Sequence, residues 1–144
     1  MTQVEKSAVE ILRKAWGEAF NKRDGDAFLK QHSENVILYD PTLPEPLRNR
    51  AELASWFTSL FEMFPDCKME LVRVYGLGDW VTAECVESGT MKGPIKHAGG
   101  EVQATGRSYK IGTILVSRVH EGEIAEVRVF YDALDLMAQL GLKP

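Results

Sequence analysis

Apolar residues recur at three- and four-residue spacing over the first twenty positions: Val4, Ala8, Ile11, Leu12, Ala15, Trp16, Ala19 and Phe20. That period draws one stripe along a helix and predicts an amphipathic helix over residues 3–21. Lys22-Arg23-Asp24-Gly25 interrupts it, and Asp24 is placed to cap a short second helix through Gln31. Residues 36–39 (Val-Ile-Leu-Tyr) read as a short strand closed by Asp40-Pro41, and residues 42–47 as a proline-stiffened loop. A capping-box-like pattern from Asn49 to Glu52 opens a third helix, with an apolar stripe of Leu53, Phe57, Leu60, Phe61 and Phe64 and an exit at Pro65.

The period then changes. Residues 69–75, 80–87, 106–119 and 123–131 are rich in Val, Ile, Thr and Tyr and are separated by turn signals such as Gly78-Asp79 and Glu121-Gly122. Strands joined by such short turns predict an antiparallel sheet. In the last of them Val127, Val129 and Tyr131 face one way, and Glu126, Arg128, Phe130 and Asp132 the other. Helical spacing resumes at Ala133, Leu136, Met137 and Leu140 and stops at Gly141. Helices first, strands after and one helix last is an α+β order. Residues 92–104 form the longest loop, which serves as a lid or as a hairpin tip. Strand 111–119 shows little polar alternation, so both sheet faces are expected to be covered, the outer one by a second copy of the chain in a homodimer.

Composition narrows the function. With 144 residues the chain fits a single domain, 1–144, large enough for a core and a small cavity. A net charge of −4 and the absence of a basic stripe argue against nucleic acid as a partner. No apolar run approaches the roughly 20 residues of a membrane span, and the polar start has no signal-peptide pattern, so a cytoplasmic protein is expected. Cys67 and Cys85 are too few and too isolated for a disulfide framework or a metal site, and read as small buried hydrophobes. His32, His97 and His120 share no ligand spacing and read as surface or loop residues; no metal and no cofactor is expected.

Carboxylates then remain as the candidate chemistry. Asp132, at the strand-to-helix junction with Asp135 three residues on, fits a helix cap. It equally fits an acid at the inner end of an apolar pocket, where desolvation would suit it to shuttle protons. Asp40 precedes a proline in a turn. Glu87 shares strand parity with Cys85 and Ala83, which permits an inward orientation. Tyr39 points opposite to Asp40 if its strand is regular, and Arg128 would need a partner, Glu126 or Asp132, to face inward. Trp16, Phe20, Phe57 and Phe61 are core residues that would double as pocket walls for a flat, apolar substrate.

In order along the chain, Phe64-Pro65-Asp66, Gly78-Asp79-Trp80-Val81, Ser88-Gly89-Thr90, Thr105-Gly106-Arg107, Glu121-Gly122-Glu123-Ile124, Tyr131-Asp132 and Gln139-Leu140-Gly141 resemble the nuclear transport factor 2-like superfamily and, within it, the SnoaL-like polyketide cyclases. The resemblance implies a cone: a curved antiparallel sheet wrapped on helices around a deep apolar pocket, with Asp132 as the acid/base for aldol-type cyclisation of a hydrophobic substrate. Met91 stands where the family carries histidine. Residues 16–46 are also similar to ketosteroid isomerases. Asp40 falls at their general base and Trp16 at their oxyanion tyrosine, and no acid lies at 113–115 for the second oxyanion donor. Residues 105–132 resemble limonene-type epoxide hydrolases, with Tyr39, Glu87 and Asp132 at their tyrosine and two acids and Cys85 in place of the linking arginine. A ligand-binding or assembly module, with a pocket free of inward carboxylates, is the non-enzymatic alternative.

Overall fold

The computed structural model describes residues 1–97 and 99–143, and the side chain of His97 lies outside the described part. Four helices and seven strands follow in the order α1 (Gln3–Leu12), α2 (Gly25–Lys30), β1 (His32–Tyr39), α3 (Arg50–Met63), β2 (Lys68–Leu77), β3 (Trp80–Thr90), β4 (Ile95–His97), β5 (Gly100–Val102), β6 (Ser108–His120), β7 (Glu123–Phe130) and α4 (Ala133–Leu140). The caps act where the sequence places them. Thr2 and Glu5 close a capping box on α1, Asp24 accepts from Ala27 N and Asn49 from Glu52 N.

Two features depart from the periodicity. The first helix is not uniform: beyond Leu12 it widens into a π-helical stretch, Arg13–Ala19, in which Phe20 N–H reaches back five residues to Ala15 O at 3.0 Å. The 92–104 loop carries its own short hairpin, β4–β5.

The main sheet has the order β1-β7-β6-β3-β2. Its pairs are antiparallel except β1 with β7, which run parallel; the expected purely antiparallel sheet is corrected there. Helix α3 and the strands β2 to β6 lie between β1 and β7 along the chain, so β1 is inserted from the chain's first half and its direction is not set by a tight turn. Tyr109, Ile111, Thr113, Leu115, Ser117 and Val119 of β6 are all buried, and alternate with Lys110, Gly112, Ile114, Val116 and Arg118. That alternation sets an inner face toward the helices and an outer face away from them.

Trp16, Phe20, Phe28, Leu12, Leu38 and Leu53 fill the space between helices and sheet, each at 1% exposure or less. Each such side chain removed from water contributes roughly 1.5–3 kcal/mol before entropy is subtracted. The expectation of a surface histidine is corrected at His32, which is fully buried. Its Nδ1 donates to Phe28 O at 2.8 Å, and its Nε2 accepts the Trp16 indole N–H at 3.3 Å. Burial, and after it the Arg50 charge, push its pKa down to about 4 against a counteracting bond to Phe28, so the ring is neutral. His120 is exposed, as expected. Among the described residues no helix is long and apolar enough to cross a membrane.

The outer face keeps apolar groups in the open. Tyr75 is 51% exposed, Leu77 79%, Trp80 38% and Phe130 52%.

Candidate active site

Alternation along β3 sends Val81, Ala83, Cys85 and Glu87 to the inner face. Glu87 is therefore a half-buried carboxylate on the inner face, and β6 supplies its hydrogen bonds. Tyr109 of β6 donates its phenol to Glu87 Oε2 at 2.6 Å, and Thr113 Oγ1 lies 3.4 Å from Oε1. The Tyr109 oxygen in turn meets Cys67 Sγ at 3.5 Å. The end of β1 delivers Asp40 and the end of β7 delivers Tyr131, both half-buried. The Tyr131 phenol donates to Asp40 Oδ1 at 2.9 Å, and Thr42 donates to the same oxygen through its N–H at 2.9 Å and its hydroxyl at 2.7 Å.

The electrostatics tie the halves together. Burial raises the pKa of Glu87 above the usual carboxylate range, the Tyr109 bond works against that rise, and the Asp40 charge adds to it. Burial also holds both phenols protonated, with the Glu87 charge contributing at Tyr109 and the Asp40 charge at Tyr131, so each remains a donor. Cys67 is pushed up to about 12, first by burial and then by Glu87, and stays a thiol. Glu87 with Tyr109 and Thr113, and Asp40 with Tyr131 and Thr42, thus form two hydrogen-bonded groups, with the Asp40 charge acting on Glu87. Such a set can take, hold and return protons.

The expected site residues distribute unevenly over this geometry. Glu87 and Asp40 belong to it. Asp132 does not stand desolvated at the inner end of a pocket: it is exposed, and its Oδ1 accepts Asp135 N–H at 3.0 Å as the N-cap of α4. The parity that carries Val129 and Tyr131 inward turns the neighbouring Phe130 and Asp132 away. Arg128 and Tyr39 are likewise corrected to the outer face, where the guanidinium sits 4.3 Å from the Tyr39 ring centroid and bonds Glu126 at 2.7 Å. Trp16 and Phe20 are sealed in the aromatic core, stacked on each other with centroids 5.6 Å apart. The Trp16 N–H is committed to His32, so it cannot serve as an oxyanion donor. Phe57 is nearly buried against Phe20 and Phe28, and Phe61 is partly open beneath the Arg23 guanidinium. Two surface depressions lie apart from the carboxylates, one beside Arg13, Gly17 and Asn21 and one beside Glu34, Asn49 and Arg50. Among the described residues no group of three or more His, Cys, Asp or Glu is gathered to hold a metal.

Tyr109, Thr113, Thr42 and Tyr131 were not singled out from the sequence. Alternation along residues 108–120 carried the signal for the first two, since it sets a tyrosine and a threonine on the same face as the buried leucines. The carboxyl beside Thr113 comes from the adjacent strand, as Glu87.

A curved sheet wrapped on N-terminal helices defines the nuclear transport factor 2-like fold. Within it the chain belongs to the SnoaL-like polyketide cyclase family, whose sequence model matches residues 10–140. No curated protein matches the chain. Among solved structures it is similar to a polyketide cyclase candidate from Xanthomonas campestris pv. campestris, with 24% identity over 96% of this chain and 99% of that one and a TM-score of 0.85. It is also similar to IdmH, a polyketide cyclase candidate from Streptomyces antibioticus, with 26% identity, 94% and 99% coverage and a TM-score of 0.74. An M. tuberculosis LEH-like epoxide hydrolase shares the fold at 14% identity, 94% and 90% coverage and a TM-score of 0.74.

Proposed function

We propose that the protein is a cofactor-free acid/base enzyme acting next to the carbonyl of a hydrophobic, uncharged small molecule, in an aldol-type ring closure or a related isomerisation. The observation that carries this reading is the inward Glu87, hydrogen-bonded by Tyr109 and Thr113, with the Asp40 charge acting on it. Asp40 takes a proton from the carbon beside a carbonyl, and the C–H electrons move into the enolate. Glu87, protonated on the oxygen that Tyr109 leaves free, hydrogen-bonds the developing oxyanion. The enolate carbon attacks a second carbonyl, the new alkoxide takes the proton back from Asp40, and both carboxyl groups return to their starting state. Each part moves one proton, and no oxidant or co-reactant enters. Asp132 serves as a cap in this scheme. The pair also selects charge: the Asp40 charge acts on Glu87, so an anionic group on the substrate would be repelled there.

Membership in the cyclase family and the likeness to cyclase candidates support the substrate class. The inward Glu87 speaks against a pocket used only for binding or assembly. The same carboxylates and tyrosines support a second reading, activation of one water for epoxide opening, with Asp40 replacing the expected Asp132. Outer-face exposure of Tyr75, Leu77, Trp80 and Phe130 supports a homodimer through the sheet.

The test is exchange of α-protons into deuterated water for a panel of hydrophobic ketones and diketones, followed by NMR, with limonene-type epoxides run in parallel. Wild type is expected to exchange ketone protons, Asp40→Asn and Glu87→Gln to lose that activity by 100-fold or more, on the order of one general acid/base group, and Asp132→Asn to keep it. Loss in Asp132→Asn with retention in the other two would overturn the assignment. Epoxide turnover without exchange would select the second reading.

A further inference from the structure

The Glu87 carboxylate has two oxygens in unequal situations. Oε2 receives the Tyr109 phenol at 2.6 Å, a short O–H···O bond, whereas among the described residues Oε1 has only Thr113 at 3.4 Å. Tyr109 is itself fixed on every side. Its ring meets Phe64 edge-on with centroids 5.2 Å apart, and its oxygen meets the Cys67 sulfur. Its cross-strand partner is Gly89, and a Cβ there would come within 2.9 Å of the Tyr109 ring carbon Cε1. Because the phenol hydrogen goes to Glu87, its oxygen is left to accept the Cys67 S–H, so the chain runs in one direction: thiol to phenol to carboxylate.

We propose that Tyr109 is a positioning residue, locked by Gly89, Phe64 and Cys67, that occupies Oε2 of Glu87 and leaves Oε1 as the oxygen that meets the substrate. This rests on the reading of Glu87 as the acid. Gly89 enters the same device without touching substrate: the absence of its side chain lets the ring lie flat on β3 and reach Glu87 two residues away. Titratable groups facing Glu87 are Asp40 from the end of β1, Tyr131 from the end of β7, Cys85 from β3 and Cys67 from the approach to β2. None of them donates to Oε2 in the present arrangement, so Tyr109 has no understudy.

The experiment follows the carboxyl carbon of Glu87 by NMR in ligand-free protein labelled with ¹³C-glutamate, with Glu87→Gln to identify its resonance. Tyr109→Phe is expected to raise the Glu87 midpoint by about one unit or more, as loss of a hydrogen bond to the charged form requires. Gly89→Ala is expected to shift it in the same direction by less, with the circular dichroism spectrum unchanged in both. The pH profile of ketone proton exchange is expected to move with the midpoint. An unchanged midpoint in folded Tyr109→Phe would overturn the proposal. If Glu87→Gln exchanges protons normally while Tyr109→Phe still shifts the Glu87 midpoint, the acid assignment fails and the positioning contact stands.

Discussion

Replacing His32 with Gln removes the one buried imidazole among the described residues and, with it, a specific slice of the protein's acid sensitivity. In the folded chain the ring is neutral, with a proton on Nδ1 for Phe28 O and a lone pair on Nε2 for the Trp16 N–H. A second proton would set two donors against each other inside the core. Its pKa is pushed from 6.5 down to about 4 by burial first and the Arg50 charge second. A folded value below the unfolded one means the stability is fully present above about pH 6.5 and is lost as pH falls toward 4. At 1.36 kcal/mol per unit, the loss grows from about 2 kcal/mol at pH 5 to about 3 kcal/mol at pH 4. Urea unfolding from pH 7.5 down to the lowest pH at which both proteins fold measures it. Asp66, Glu5 and Glu84, whose pKa values are lowered, also lose stability in acid. They are common to both proteins and cancel in the difference. Wild type is expected to lose about 2 kcal/mol more than His32→Gln between pH 7.5 and pH 5. Parallel curves would refute the buried, singly protonated histidine.

Three shorter expectations concern stability and assembly. Asp132→Ala should cost about 1 kcal/mol through the lost cap on α4 while leaving turnover in place, as read by urea melts beside the exchange assay. Ser117 has a buried hydroxyl with no hydrogen-bond partner among the described residues, so Ser117→Ala should leave stability unchanged or raise it by about 1 kcal/mol, and a loss of that size would reveal a bond the hydroxyl makes. Phe130→Glu, which charges the outer sheet face, should convert a dimer into monomers in sedimentation velocity without changing the circular dichroism spectrum. A wild type that already sediments as a monomer would remove the proposed assembly.

The cone was legible because its signals are local. Periodic apolar stripes, capping residues at Asp24 and Asn49 and turn glycines at 78 and 122 each act within a few residues of where they are read. The parallel docking of β1 on β7 was not, because that pair is joined through most of the chain and no turn fixes its direction. The same difference separates the site residues. Glu87 was singled out by resemblance to the epoxide hydrolases, and its parity with Ala83 and Cys85, a local property of one strand, permitted the inward orientation it has. Asp132 was favoured on motif resemblance, although its parity with Arg128 and Phe130 already turned it away from Val129 and Tyr131. His32 looked like a surface residue because its partners, Trp16 and Phe28, lie on two different helices. Tyr109 escaped notice for a related reason: its role exists only across the strand pair, where Gly89 makes room for it and Glu87 receives its hydrogen.

The central claim is that Asp40 and Glu87 act as one unit, and a double-mutant cycle on ketone proton exchange tests it most directly. Rates for wild type, Asp40→Asn, Glu87→Gln and the double variant are compared at one pH with Asp132→Asn as control. Residues that act on the same proton transfer lose together, so the double variant should be no slower than about the worse single one. Losses that multiply across the two sites, or a control that falls as far as they do, would contradict the account.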